Sequence, residues 1–434
     1  MEGNRTFAGI DWELGRSDGQ AVQHFMSQSP WSGAAVYEQI QEEVCQRQEL
    51  QQGSWLLVDE SADEKAGEGS VGVGRQYNGR LGKVDQCQVS VLLALANWTA
   101  VPWPLWVLVD SELYVPEAWF EPPFAARRHK LGIPSDRSFA TKPELGVQMI
   151  RRAKARGLPF MGVACDEVYG RDSQFRAQLD QEQVVYVADV PSHTQVYLQR
   201  PEVGIQSTAP GHRGRPCTQR QVLNGVQPMS VQGVGRMPES HWQTVHIRSN
   251  ERGVLADRFA ARRLWTWSPE HVEPRQEWLV MRVEQNGEHS YALSNAPGDA
   301  SLSFLAEGCC SRYFVERAIE DGKDQAGWDE FQAQKYVAWE HHTALTACAL
   351  WFIAKTKLAW AQDVQRDPHL AAQLEVDVLP ALSTANVRTM LQAALPLPEL
   401  SLEDAQRLVV RHLVNRSRSK ASRIRRRHKA AVRT

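Results

Sequence analysis

The residues best suited to chemistry are three distant acids and two cations. Asp59 directly follows the short apolar run Trp55-Leu56-Leu57-Val58, and Asp166 closes a second run, Pro159 to Ala164. Carboxylates at the C-terminal ends of core strands stand where α/β proteins gather ligands and metals. Taken singly, each is better read as an ordinary turn residue. Taken as a pair on neighbouring strands they could bind Mg²⁺, because hard cations take oxygen ligands and need neither His nor Cys. Glu316 lies on a predicted helix, with Arg312 four residues before it and Lys323 seven after. At 3.6 residues per turn the three share one face. A carboxylate between two cations could bind a metal while the cations hold phosphate. On spacing alone, a salt-bridged stripe facing solvent is the better reading. Asp110, also at a possible strand end, is a weaker metal candidate.

Other motifs carry less. The acids Asp63, Glu64 and Glu68 read as a solvated loop after the first strand. Gly72-Val73-Gly74 precedes a strand-like run instead of a helix, so it is no dinucleotide fingerprint, and Gly79 to Lys83 lacks the spacing of a phosphate loop. His341-His342 sits among apolar helical neighbours and reads as a packed or surface pair. Cys165 reads as a small core residue, since no His is placed to activate it. The C-terminal run from Asn415 to Lys429 includes Arg423, Arg425, Arg426 and Arg427 and reads as a cationic arm suited to a nucleic-acid backbone. Such an arm gives salt-sensitive affinity and no base sequence.

The elements that must position these groups follow from periodicity. Residues 1–50 form a helical segment. Strand signals begin at Ser54, with further strands at Val71–Tyr77 and Gln86–Ala96 joined through the hairpin signal Asn78-Gly79. Helix, strand, helix and strand then alternate from Pro143 to Val190. This order predicts an α/β fold with a mixed sheet flanked by helices. Residues 51–190 form its first part, 191–305 a β-rich insertion, 306–400 a helical part with a Pro/Leu-rich connector at Pro380–Pro398, and 401–434 a helix and the basic tail. The chain has 434 residues, 42% hydrophobic and 23% charged, which excludes general disorder and allows two to four domains. Eleven Lys/Arg and no Asp/Glu fall between Ala405 and Thr434. With a net charge of −2, the preceding 404 residues carry −13. An acidic body with a basic tail suggests a polyanionic partner. Seven cysteines without C-x-x-C spacing suggest a reducing compartment, and no secretory signal or membrane-length apolar run is visible. A cytoplasmic protein with no membrane partner is expected.

Several stretches carry a resemblance. Phe139-Ala-Thr-Lys-Pro-Glu-Leu145 and Ala164-Cys-Asp-Glu-Val-Tyr-Gly-Arg-Asp172 are similar to motifs of the bacterial insertion-sequence transposases grouped with insertion sequence 701. Ser70 to Tyr77, Asp85 to Val89 and Leu293-Ser-Asn-Ala-Pro297 resemble that group as well, and the match spans about residues 20–360. The family belongs to the DDE transposases, whose catalytic core resembles ribonuclease H. Arg312, Glu316 and Lys323 fit the Tyr-x2-Arg-x3-Glu-x6-Lys signature of a related group, with Cys309 where the tyrosine stands.

The resemblance implies Asp59, Asp166 and Glu316 as catalytic acids, which reverses the spacing-only reading of Glu316. It implies that residues 191–305 are the insertion placed before the third acid, and that the N-terminal helical segment is short beside those of relatives. The expected function is a DNA transposase that cuts element ends and joins them to target DNA. Two Mg²⁺ ions (Mn²⁺ as a substitute) would lie about 3.5–4 Å apart on the three acids. Arg312 and Lys323 would neutralise phosphate, and the protein would assemble as a homo-oligomer on DNA. Two alternatives stay open: a transposase-derived DNA-binding protein without cutting activity, and a ribonuclease H-like nuclease that never joins strands.

Overall fold

The computed structural model describes residues 7–13, 19–79, 81–98, 104–206, 218–250, 253–330, 333–366 and 382–394, with scattered positions between 401 and 425. The chain opens with helices α1 (Phe7–Glu13), α2 (Gln20–Ser27) and α3 (Gly33–Cys45). Ser32 caps α3 by accepting from the Ala35 N–H, and Tyr37, Ile40 and Val44 bury its apolar stripe. Strands β1 (Ser54–Glu64), β2 (Gly74–Asn78), β3 (Lys83–Asn97) and β4 (Leu105–Tyr114) follow, then helices α4 (Ala125–Leu131) and α5 (Lys142–Ala155). Next come β5 (Gly162–Cys165), α6 (Glu167–Gly170), α7 (Ser173–Gln181) and β6 (Tyr186–Asp189). Short pieces β7 (Gln195–Val196), β8 (Val203–Ile205), β9 (Arg220–Val222), β10 (Met229–Ser230) and α8 (Val231–Gly235) lead into β11 (Gln243–Asn250), β12 (Gly253–Thr266), β13 (Arg275–Val283) and β14 (His289–Ser294). Helices α9 (Leu302–Ser311), α10 (Tyr313–Asp324), α11 (Tyr336–Arg366) and α12 (Thr384–Ala394) complete the described elements.

One mixed sheet organises them, in the order β11-β12-β13-β14-β6-β5-β1-β3-β2, with β4 also on β3. β5 and β6 run parallel to β1, whereas β3 is antiparallel to it. This is the expected α/β, ribonuclease H-like architecture of a mixed sheet flanked by helices. The strands of residues 243–294 extend the same sheet through the antiparallel pair β14–β6.

Strand β1 is central, and Trp55, Leu56, Leu57 and Val58 are fully buried. Side chains alternate along a strand, so the two faces can be assigned. Val58 faces α5, where a Cβ on Gly146 would lie 3.3 Å from it. Trp55 faces α9: its ring centroid is 5.2 Å from that of Phe304, and a Cβ on Gly308 would fall 2.8 Å from its ring. Asp59 shares the parity of Trp55 and so points to the α9–α10 side.

Two expectations need correction. Asp63 and Glu64 do not lie in a solvated loop. β1 pairs with β3 along its whole length, from Ser54↔Asn97 to Glu64↔Cys87, so the ladder carries the acids into the sheet. Asp63 is buried and ion-paired with Lys323 at 3.6 Å. The Pro/Leu-rich connector contains α12, which Val387 anchors by complete burial. Connector residues 380–381 and 395–398 lie outside the described residues.

Candidate active site

Register creates the site. Val58 pairs with Cys165 across β1–β5, and Cys165 pairs with Ala188 across β5–β6. The next residue on each strand is therefore Asp59, Asp166 and Asp189. Three carboxylates stand in one row across neighbouring parallel strands, on the face covered by α9 and α10. Strands in a sheet are spaced by ~4.8 Å, so adjacent members of the row feel each other's charge strongly.

Each acid is also fixed locally. Asp59 Oδ1 accepts the Glu60 N–H at 2.7 Å. Asp166 caps α6 by accepting the Val168 N–H at 3.0 Å. Helix α6 can lie this close to β6 only because residue 170 is glycine. A Cβ there would sit 1.9 Å from the Asp189 carbonyl oxygen. Glu60 points to the opposite face, where Lys142 at the start of α5 meets it at 2.7 Å.

The row is electrostatically strained. Burial, Asp166 and Glu60 push the Asp59 carboxyl up to about 8, against a lowering by Arg312. Burial and Glu60 push Asp166 up to about 6. Burial raises Asp189 to about 7, with Asp166 adding to it and Arg312 opposing. The acids repel one another, and Arg312, joined by Arg282 at Asp189, offsets them only in part.

Arg312, the cation common to all three acids, stands at the junction of α9 and α10. Its Nε lies 3.2 Å from Asp189 Oδ2 and its Nη1 lies 3.0 Å from Glu316 Oε1. Arg312 thus links Glu316 to the row. Glu316 itself is 53% exposed in the first turn of α10. The predicted stripe is brought together only in part. Lys323 lies two turns further on and reaches Asp63 and the Ala62 carbonyl, at 3.6 and 3.4 Å. Asp63 is four residues beyond Asp59 on β1, which places Lys323 ~13 Å along the strand from the row. Arg425 is exposed, with its Nε directed at the Ala421 carbonyl. Arg423, Arg426 and Arg427 lie outside the described residues.

Among the described residues, no group of three His, Cys, Asp or Glu side chains is arranged to hold a metal ion. The Asp59–Asp166 pair nonetheless fits a hard divalent cation. It offers oxygen donors only, and its repulsion is what a cation would relieve. Mg²⁺ is commonly held by one or two carboxylates plus substrate phosphates.

Asp189 is the functional candidate that sequence reasoning missed. The apolar run Val184–Val190 reads as one strand, and the aspartate inside it was the available signal. Asp110 belongs elsewhere, buried and paired with Arg152 at 2.9 Å. His341 is a packing residue: it stacks on Trp31 at 3.6 Å and bonds the Met26 and Trp31 carbonyls. His342 bonds the Trp328 carbonyl, and Cys165 is buried with its thiol pushed far up by burial. No helix among the described residues is long and apolar enough to cross a membrane.

Comparison with known proteins adds two findings. A family model described as DDE superfamily endonuclease matches residues 1–254, a span that holds Asp59, Asp166 and Asp189. The chain is also 24% identical over 329 residues to a probable transposase for insertion sequence element IS701 from Microchaete diplosiphon, covering 74% of this chain and 71% of that protein.

Proposed function

The chain belongs to the DDE superfamily endonucleases, and on that premise we propose that it is a transposase that cuts DNA at element ends and joins them to target DNA. The observation that carries this reading is the placement of Asp59, midway along β1, beside Asp166, the first residue past the neighbouring parallel strand β5, with both carboxyls raised. In this reading Asp59 and Asp166 hold divalent cations, and Glu316 completes the set when Arg312 releases it. Mg²⁺, with Mn²⁺ as a substitute, would supply the lowered pKa of the attacking water and stabilisation of the departing 3′ oxygen. Arg312, freed from its carboxylates, turns to a phosphate oxygen and keeps a positive charge beside the reacting strand. In joining, the liberated 3′-hydroxyl takes the place of water at the same acids, so no covalent protein nucleophile is required. The basic tail adds sequence-independent contacts to the DNA backbone. Pairing two ends calls for more than one copy of the chain, so assembly is expected on DNA.

The test uses linear DNA bearing element ends with Mg²⁺. Asp166→Ala is expected to lose cutting by roughly a thousandfold or more while retaining a gel shift close to wild type. Undiminished cutting by that variant would remove Asp166 from the site. A precut 3′-hydroxyl end offered to the wild-type protein decides the final step: joined product supports a transposase, and hydrolysis alone supports a nuclease.

A further inference from the structure

Beside the acid row lies a cleft of about 450 Å³, lined by residues of β11 to β14 on one side and the α9–α10 junction on the other. Its cations are Arg248, Arg282 and Arg312, and its acids are Asp189, Glu284 and Glu316. Two of the three cations are committed. Arg282 pairs with Asp257 at 2.7 Å and Glu284 at 3.1 Å, and Arg312 pairs with Asp189 and Glu316. Arg248 has no carboxylate within ion-pair distance among the described residues. Its guanidinium is held by rings instead, 4.3 Å from the Tyr313 centroid and 4.7 Å from that of Phe314. Phe314 is buried and stacks on Trp98 at 4.9 Å, so the platform is rigid. Tyr313 is 45% exposed and opens to the cleft. The two rings stand at 80° to each other, and a guanidinium lodged between them without a carboxylate partner keeps N–H donors for a ligand and loses little freedom on binding one.

We propose that Arg248 is a positioning residue that grips a backbone phosphate of the DNA strand leaving the acid row, with Tyr313 and Phe314 as its platform. The ligand class follows from the chemistry. The cleft adjoins Arg312 and Glu316, is open to solvent, and presents one uncompensated planar cation, which suits a phosphodiester oxygen pair. The contact is to the backbone and is therefore indifferent to base sequence. This inference rests on the DNA-cutting reading, and its test is kept separate from it by measuring binding without cutting.

Binding of the full chain to a fluorescent duplex carrying a nick is measured by anisotropy in EDTA over a series of salt concentrations, with a second duplex of scrambled sequence. Arg248→Gln is expected to weaken both duplexes equally, by roughly tenfold, and to lower the salt slope by about one. Arg248→Lys keeps the charge and is expected to keep the salt slope, with weaker affinity because the planar fork of N–H donors is lost. Tyr313→Leu is expected to fall between these two. Wild-type affinity and slope in Arg248→Gln would overturn the assignment and leave the cutting reading intact. Loss of binding to one sequence only would also overturn it, since that outcome marks a base contact. Thermal melts of all variants guard against misfolding, and if Arg248→Gln melts early Arg248→Met carries the slope comparison in its place, with the same drop of about one expected and an unchanged slope overturning the assignment.

Discussion

Two carboxylate centres in one sheet, one buried and one half-buried, are treated in opposite ways. Glu277 on β13 is buried, and burial alone would raise its carboxyl. Arg176 and Arg275, with the Thr266 and Tyr186 hydroxyls, outweigh that and hold it below the ordinary range. At the row of Asp59, Asp166 and Asp189, one shared guanidinium faces three acids, and all three carboxyls are raised. The fold evidently can satisfy a buried acid when it surrounds it with donors. It leaves the row undersatisfied, and charge that the protein does not neutralise is available to an outside cation. Stability resides in the first centre, and the proposed chemistry in the second.

Glu277→Ala leaves Arg176 and Arg275 facing each other without their acid. It is expected to cost about 3–5 kcal/mol of stability, measured by urea unfolding. A cost below 1 kcal/mol would show that the network is not structural. Asp59→Asn acts in the reverse direction. A carboxyl raised in the folded state contributes stability that is present below its unfolded pKa and is lost as pH rises through its folded value. For Asp59 that window runs from its ordinary value of 3.8 to about 8. Asp59→Asn is therefore expected to raise the Tm by roughly 1–3 °C at pH 8 and to leave it unchanged near pH 3.5, while cutting is lost. An equal gain at both pH values would point to packing and not to charge.

Asp59 and Asp166 could be found from sequence because each ends a dense apolar run, and such runs become buried strands. Their meeting could not, because it depends on the parallel pairing of β1 with β5 across about a hundred residues. Asp189 escaped because an acid inside an apolar run reads as part of the strand, and only the pairing of Cys165 with Ala188 aligns it with Asp166. Asp63 was misread because clustered acids suggest solvent. The β3 ladder and Lys323, contributed by a distant helix, are what permit its burial. The Arg312–Glu316 pair follows from four-residue spacing, whereas the turn of Lys323 towards β1 follows from helix packing. Arg248 gave no signal at all, since its role depends on two rings supplied by α10.

Asp59 and Asp166 are together proposed to hold a divalent cation. Calorimetric titration of Mg²⁺ into the protein at pH 7, repeated in buffers of different ionisation enthalpy, tests this most directly. Binding with release of about one proton is expected, because the raised carboxyls must ionise to ligate, and both signals should be lost in Asp59→Asn/Asp166→Asn. Wild-type Mg²⁺ affinity in that double variant would contradict it.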